Sequence, residues 1–197
     1  MGVRLPVLDE GARAQLSRLH GAVDAMVAPL VALHGARLRC TRGCHGCCVD
    51  GLTVFALEAA RIVEHHGELL ATSEPHPVGG CAFLDAQGAC RIYAHRPYVC
   101  RTQGLPLRWL QARDGEHVEL RDICELNVGD ERDEGEGRDE GNERDERGDA
   151  RVTPLTQLPA EHCFTLGPVE QRLREQAEQA GAADRIALRS LFERAPS

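Results

Sequence analysis

Cys40-Thr41-Arg42-Gly43-Cys44-His45-Gly46-Cys47-Cys48 packs four thiols into nine residues. Cys44 and Cys47 stand in C-x-x-C spacing, which lets two sulfurs turn toward one ion while freed backbone N–H groups support the thiolates. Gly43 and Gly46 suit so tight a loop, because glycine accepts positive φ at no steric cost. The neighbours Cys47 and Cys48 leave the chain in different directions and do not readily serve one tetrahedral ion together. Beyond the loop come four isolated cysteines, Cys81, Cys90, Cys100 and Cys124, and a ninth at Cys163. The stretch points to a small fold organised around a cysteine-ligated metal.

Other readings of the thiols are weaker. The N-terminus, Met1-Gly2-Val3-Arg4-Leu5-Pro6, runs into charged residues without a sustained apolar core, and no uninterrupted apolar stretch approaches the length of a membrane span. The expectation is a cytoplasmic chain with no membrane association, in a compartment that keeps thiols reduced. That disfavours a disulfide scaffold. A thioredoxin-type redox pair needs a βαβ context, and none precedes Cys44. Buried structural cysteines account for one or two positions, Cys163 most readily, but not for four in nine residues.

Composition adds little to the site. The chain has 197 residues, a formal net charge of −8, and 23 basic side chains, all of them Arg. Residues 129–150 alone hold eleven acids against four Arg, a net of −7, leaving the remainder close to neutral. This tract reads as a disordered acidic insertion within one metal-binding domain formed by 1–128 and 151–197, whose cysteine-rich core is about 40–127. No basic stripe with interleaved aromatics appears, so nucleic acid is not an expected partner. A metal ion is, while any protein partner is unknown. Aromatics are few, so the core should be mostly aliphatic.

The apolar residues Leu16, Leu19, Val23, Met26, Leu30 and Leu33 recur at steps of three and four. They predict a core-packing helix that Asp9 starts and Gly35 ends, with Pro29 kinking or splitting it near Ala25. A second helix is expected from Thr53 as N-cap to Leu69 or Leu70. A small hairpin should carry Cys81 and Cys90 around Asp85-Ala86-Gln87-Gly88. A short helix near Pro97 should carry Cys100. A second hairpin should turn at Asp114-Gly115 between Leu107–Leu110 and Val118–Leu120. A last helix from Pro168 presents Val169, Leu173 and Ala177, and a segment from Ile186 to Phe192 follows. The fold class expected is helix-rich α+β, a small single domain with short β-hairpins.

These segments resemble the YkgJ-like cysteine-cluster family, described as zinc- or iron-chelating CxxCxxCC domains. The resemblance runs through C-T-R-G-C-H-G-C-C at 40–48, C-A-F-L-D-A-Q-G-A-C-R-I-Y at 81–93 and R-P-Y-V-C-R at 96–101. T-Q-G-L-P-L-R-W at 102–109 and C-E-L-N at 124–127 look like one branch of it. Metal binding by Cys44, Cys47, Cys48, Cys81, Cys90 and Cys100, together with Cys40 and Cys124, is what the resemblance implies. Three residues separate Cys40 from Cys44 where the family's name has two.

One zinc needs four ligands, and a zinc ribbon shows two C-x-x-C knuckles, whereas this chain has one. Seven or eight candidate thiols fit an iron–sulfur cluster or a multinuclear site better than a single zinc, with zinc the rival. Two function classes are compatible: a metal-binding module, and a redox or protein-modifying enzyme that uses the cluster. No catalytic constellation stands out. His45 reads as a solvated loop histidine, and adjacent His65 and His66 as one core-edge and one solvated residue. Arg96 and Arg101, flanking Cys100, suit stabilising thiolate charge or binding an anion, with surface salt bridges an equal alternative.

Overall fold

The computed structural model describes residues 5–128 and 153–193, so the acidic tract 129–150 lies outside the described residues. Helix α1 spans Glu10–Leu33, with the Asp9 side chain accepting from the Ala12 N–H at 2.7 Å. Leu16, Leu19, His20 and Val23 form its buried face. The helix runs unbroken through Pro29, contrary to the expected split. Pro29 and Ala25 are both exposed, so the carbonyl deprived of a donor can turn to water. Met26 and Leu33 are exposed as well, so only the first half of the apolar stripe is core.

His34, not Gly35, caps the helix C-terminus. Its N–H reaches the Leu30 carbonyl, and its Nε2 lies 2.7 Å from the His162 carbonyl. This tertiary anchor replaces the left-handed glycine. By length and composition α1 is apolar enough to cross a membrane, although Arg18 and Asp24 interrupt its apolar run. In this fold its buried face packs beside the helical segments Tyr98–Thr102 and Leu166–Gln179.

Strand β1, Thr53–Phe55, stands where a helix start was expected, and α2 begins at Ala56 and runs to Thr72. The reason is non-local. β1 pairs antiparallel with β5, Arg185–Ala187, so Thr53 faces Ala187. The second hairpin forms as expected: β2, Leu107–Arg113, pairs with β3, Glu116–Asp122. Asp114 at φ 51° and Gly115 at φ 87° give the two left-handed residues of a type I′ turn. The short β4, Phe164–Thr165, adds parallel to β2 and leads into α4, Leu166–Gln179, which buries Val169, Leu173 and Ala177. The expected hairpin at 81–90 reduces to a turn with one bridge, Leu84 to Cys90. The architecture is α+β: four α-helices and two small sheets among the described residues. The core is mainly aliphatic, built on Leu16, Leu57, Ile62, Leu173 and Leu191 with Phe83 among them.

One buried carboxylate ties the helices together. Glu58 on α2 is 3 % exposed. Its Oε1 lies 2.9 Å from His20 Nε2 on α1 and accepts the Tyr98 backbone N–H at 2.8 Å, at the start of α3, Tyr98–Thr102. The Tyr98 hydroxyl in turn donates to Glu170 on α4 at 2.7 Å. Removing a buried acceptor leaves its donors unsatisfied, at about 1–3 kcal/mol each. Glu58→Ala should therefore lower unfolding stability by roughly 3 kcal/mol in urea titration. Glu58→Gln, which still offers an oxygen, should lose less than half of that.

Candidate metal centre

The thiols come from four segments of chain, and polar groups hold those segments in place. The loop 40–48 is closed by Cys44 N–H to the Thr41 carbonyl (3.0 Å) and Cys48 N–H to the His45 carbonyl (2.8 Å). Gly43 takes φ 88°, and a Cβ there would stand 3.1 Å from the Gln87 carbonyl, so the loop lies directly on the 85–88 turn. A backbone bond from Cys81 N–H to the Cys48 carbonyl, 2.8 Å, joins the first segment to the second.

Arg189 reinforces that junction from the far end of the chain. Its Nε donates to both oxygens of Asp50 at 2.9 and 3.1 Å, and its other nitrogens reach the carbonyls of His76 (2.8 Å) and Gly80 (2.9 Å). Asp50 is two residues past Cys48 and Gly80 immediately precedes Cys81. The hydrogen bond from Arg189 holds the Asp50 carboxyl below its ordinary range.

Cys100 rides on α3, whose start is fixed by Glu58. Arg101 beside it is buried, bonded to Asp24 at 2.6 Å and to the carbonyls of Arg96 and Ala94. It is a structural tie, not an anion seat. Arg96 lies over the Tyr93 ring at 4.0 Å. His45 is exposed, as expected, with its Nδ1 2.9 Å from the Gly43 carbonyl. The fourth segment, a 3-10 turn at Glu125–Asn127, has Cys124 at its head. Asn127 at its end is buried and reaches the Cys40 sulfur at 3.4 Å.

All nine cysteines are free thiols. The Cys48 thiol donates to Cys47. Accepting that bond pulls the Cys47 thiol down to about 6, against the upward effect of burial. The same bond, then burial and the charges of Cys47, Cys81 and Cys100, push Cys48 up. Burial pushes Cys100 far up, with Cys81, Cys90, Glu58 and Cys47 adding to it. Cys81 and Cys90 are raised chiefly by burial, and Cys90 feels Cys81. Cys124 is raised by burial, then by Cys47, Cys40 and Cys44.

The thiol charge felt at Cys100 comes from Cys81, Cys90 and Cys47, and that felt at Cys124 from Cys47, Cys40 and Cys44. Cys163 stands apart in the core, where burial raises it and its charged neighbours are Arg121, Arg108, Glu119 and Arg37. Among the described residues no three Cys, His, Asp or Glu side chains already stand as a ready metal-holding group. The thiols are gathered but not closed on one point.

Residues 39–125 match a family model, CxxCxxCC, described as a "putative zinc- or iron-chelating domain". The match shows a similarity over less than half of the 197-residue chain. Its span takes in all eight gathered thiols and leaves out Cys163 and Asn127. No curated protein and no solved structure matches the chain. The thiols of the matched segment suit a metal cation of the zinc and iron kind, for which thiolates are preferred ligands. For Cys48 and Cys100 each influence named above opposes ionisation, and a bound cation reverses that balance.

Sequence spacing did not reveal Arg189, Glu58 or Asn127, because their partners are distant in the chain. It also missed a histidine group beside α3. His66 departs from helical geometry at φ −131°, ψ 24°, which brings both neighbours to His95. His65 stacks on the His95 ring at 3.9 Å, and His66 Nε2 lies 3.0 Å from His95 Nδ1. Burial, then neighbouring positive charge, lowers both His66 and His95. The unfolded chain therefore takes up protons first as pH falls through about 6.5, and stability declines toward acid. The urea midpoint should fall between pH 7.5 and 5.5, and it should fall less in His95→Gln. Thiol protonation acts on both chains alike, so the difference reports the imidazoles.

Proposed function

We propose that the matched segment is a metal-binding module whose thiolates hold iron as an iron–sulfur cluster, in the reducing cytoplasm. What supports this reading is eight free thiols within the matched span, on four segments that backbone and side-chain hydrogen bonds tie together, such as Cys81 N–H to the Cys48 carbonyl and Asn127 to the Cys40 sulfur. A single zinc would use four of them and leave the rest as half-buried thiols raising one another. An iron–sulfur cluster also takes four thiolates but tolerates their irregular spacing, so eight thiols suit one cluster with further ligands beside it, and the cluster supplies electron-transfer or structural chemistry when bound. Cys47, Cys48, Cys81, Cys90 and Cys100 are its ligand candidates, with Cys40, Cys44 and Cys124 as the adjoining set.

Metal bound by such loops also contributes to folding, because the unfolded chain has no preformed site. Here it would join segments that the hydrophobic core does not reach, notably the exposed loop 40–48. Zinc is the competing occupant, and one purification separates the two. The chain isolated without oxygen should be coloured, with iron and acid-labile sulfide in comparable amounts. Cys47→Ser and Cys100→Ser should each lose most of that absorption, while Cys163→Ser keeps it. A colourless chain with stoichiometric zinc and no sulfide would overturn the cluster reading. Unchanged metal content in both Cys47→Ser and Cys100→Ser would overturn the site itself.

A further inference from the structure

We infer that Asn127 and Gly104 form a built seat for the Cys40 sulfur, in which the Asn127 amide donates a hydrogen bond to Cys40 as a metal-ligating thiolate. The inference rests on the metal-binding reading above and deepens it. It assigns a positioning residue beyond the span of the family match, and a ligand role to the cysteine whose spacing departs from the family's name.

The geometry of Asn127 leaves little freedom. Its side chain is in a residue only 1 % exposed. The Oδ1 atom accepts the Arg39 backbone N–H at 2.8 Å, and Nδ2 donates to the Gly104 carbonyl at 2.8 Å. A backbone N–H can face only the amide oxygen, and a carbonyl can face only the amide nitrogen. The two backbone groups therefore fix the orientation of the carboxamide without reference to the sulfur. The remaining Nδ2 hydrogen is turned to Cys40 Sγ, 3.4 Å away. Such a bond is stronger to a thiolate than to a thiol, because the acceptor is charged.

Gly104 completes the seat. It takes φ 91°, which favours glycine, and a Cβ there would lie 2.6 Å from Cys40 Sγ and 3.4 Å from Asn127 Nδ2. The sulfur occupies the space that any other residue would fill. The same 3-10 turn carries Cys124 at its head, and the Asn127 N–H closes it on the Cys124 carbonyl at 2.7 Å. One turn thus delivers a thiol at one end and an N–H···S donor for a second thiol at the other. Outer groups that orient ligands in this way govern metal affinity, typically by 10–100-fold.

The test uses the full chain loaded with zinc or cadmium, competed against a chelator, with the side-chain amide of Asn127 followed by proton–nitrogen NMR. Asn127→Asp keeps the acceptor for Arg39 but turns an oxygen on both Gly104 and the sulfur. It should weaken metal binding at least about 10-fold. In a Cys40→Ser background the same substitution should add less than about 3-fold, because coupled residues lose their separate effects. In the wild-type chain the Asn127 amide proton facing the sulfur should shift downfield on loading, and in Cys40→Ser it should not. This last readout needs no change at Asn127, so a poorly folded Asn127→Asp does not block the test. Equal losses from Asn127→Asp with and without Cys40 would overturn the inference, as would an amide proton unmoved by metal. Cys40→Ser with full metal affinity, where Cys47→Ser has lost it, would overturn this inference and leave the metal-binding reading intact. Full affinity in both would overturn the two together.

Discussion

Cysteines drawn from four segments of chain are held in place by the surrounding fold, although burial opposes the ionisation of Cys48, Cys81, Cys90, Cys100 and Cys124. That constraint shapes the molecule around them. Hydrophobic contact does not meet it, because most of these cysteines sit at the edge of the core. Polar clamps meet it instead. Arg189 grips the chain just after Cys48 and just before Cys81. Glu58 fixes the start of the helix that carries Cys100. Asn127 joins the neighbourhood of Cys40 to the turn behind Cys124. Each clamp has backbone atoms among its partners, so the path of the chain beside the cysteines is fixed.

The clamps also explain the order of the fold. α1 and α2 are long because their apolar faces and the His20–Glu58 contact bury together. α3 is a single short turn because its task is to present Cys100 after Pro97. The C-terminal strand β5 returns to pair with β1, which places Arg189 over the junction of the two cysteine loops. The elements farthest apart in sequence are thus the ones that meet at the metal centre. Cys163, the one cysteine outside the gathering, packs in the core as an apolar residue would.

What the sequence made legible was local. The C-x-x-C loop, the Asp114-Gly115 hairpin, the Asp9 cap and the Val169–Leu173–Ala177 stripe each carry their own signal within a few residues. What escaped was non-local or depended on solvent. Thr53 has the chemistry of a helix cap, yet its pairing with Ala187 makes it strand. Met26 and Leu33 continue a helical stripe, yet they are exposed and lie outside the buried core. Pro29 should break a helix, yet the break is tolerated where water reaches the chain. The three histidines meet because His66 leaves helical geometry, which spacing on an ideal helix excludes. In the candidate site, motif names the cysteines, whereas Arg189, Glu58 and Asn127 emerge only from the fold.

X-ray absorption at the metal edge tests the central claim most directly, because it reads the atoms bound to the ion without any variant. The account predicts a first shell of sulfur alone, at about 2.3 Å for zinc and with an added metal–metal distance for an iron–sulfur cluster. A first shell dominated by nitrogen or oxygen near about 2.0–2.1 Å would contradict it.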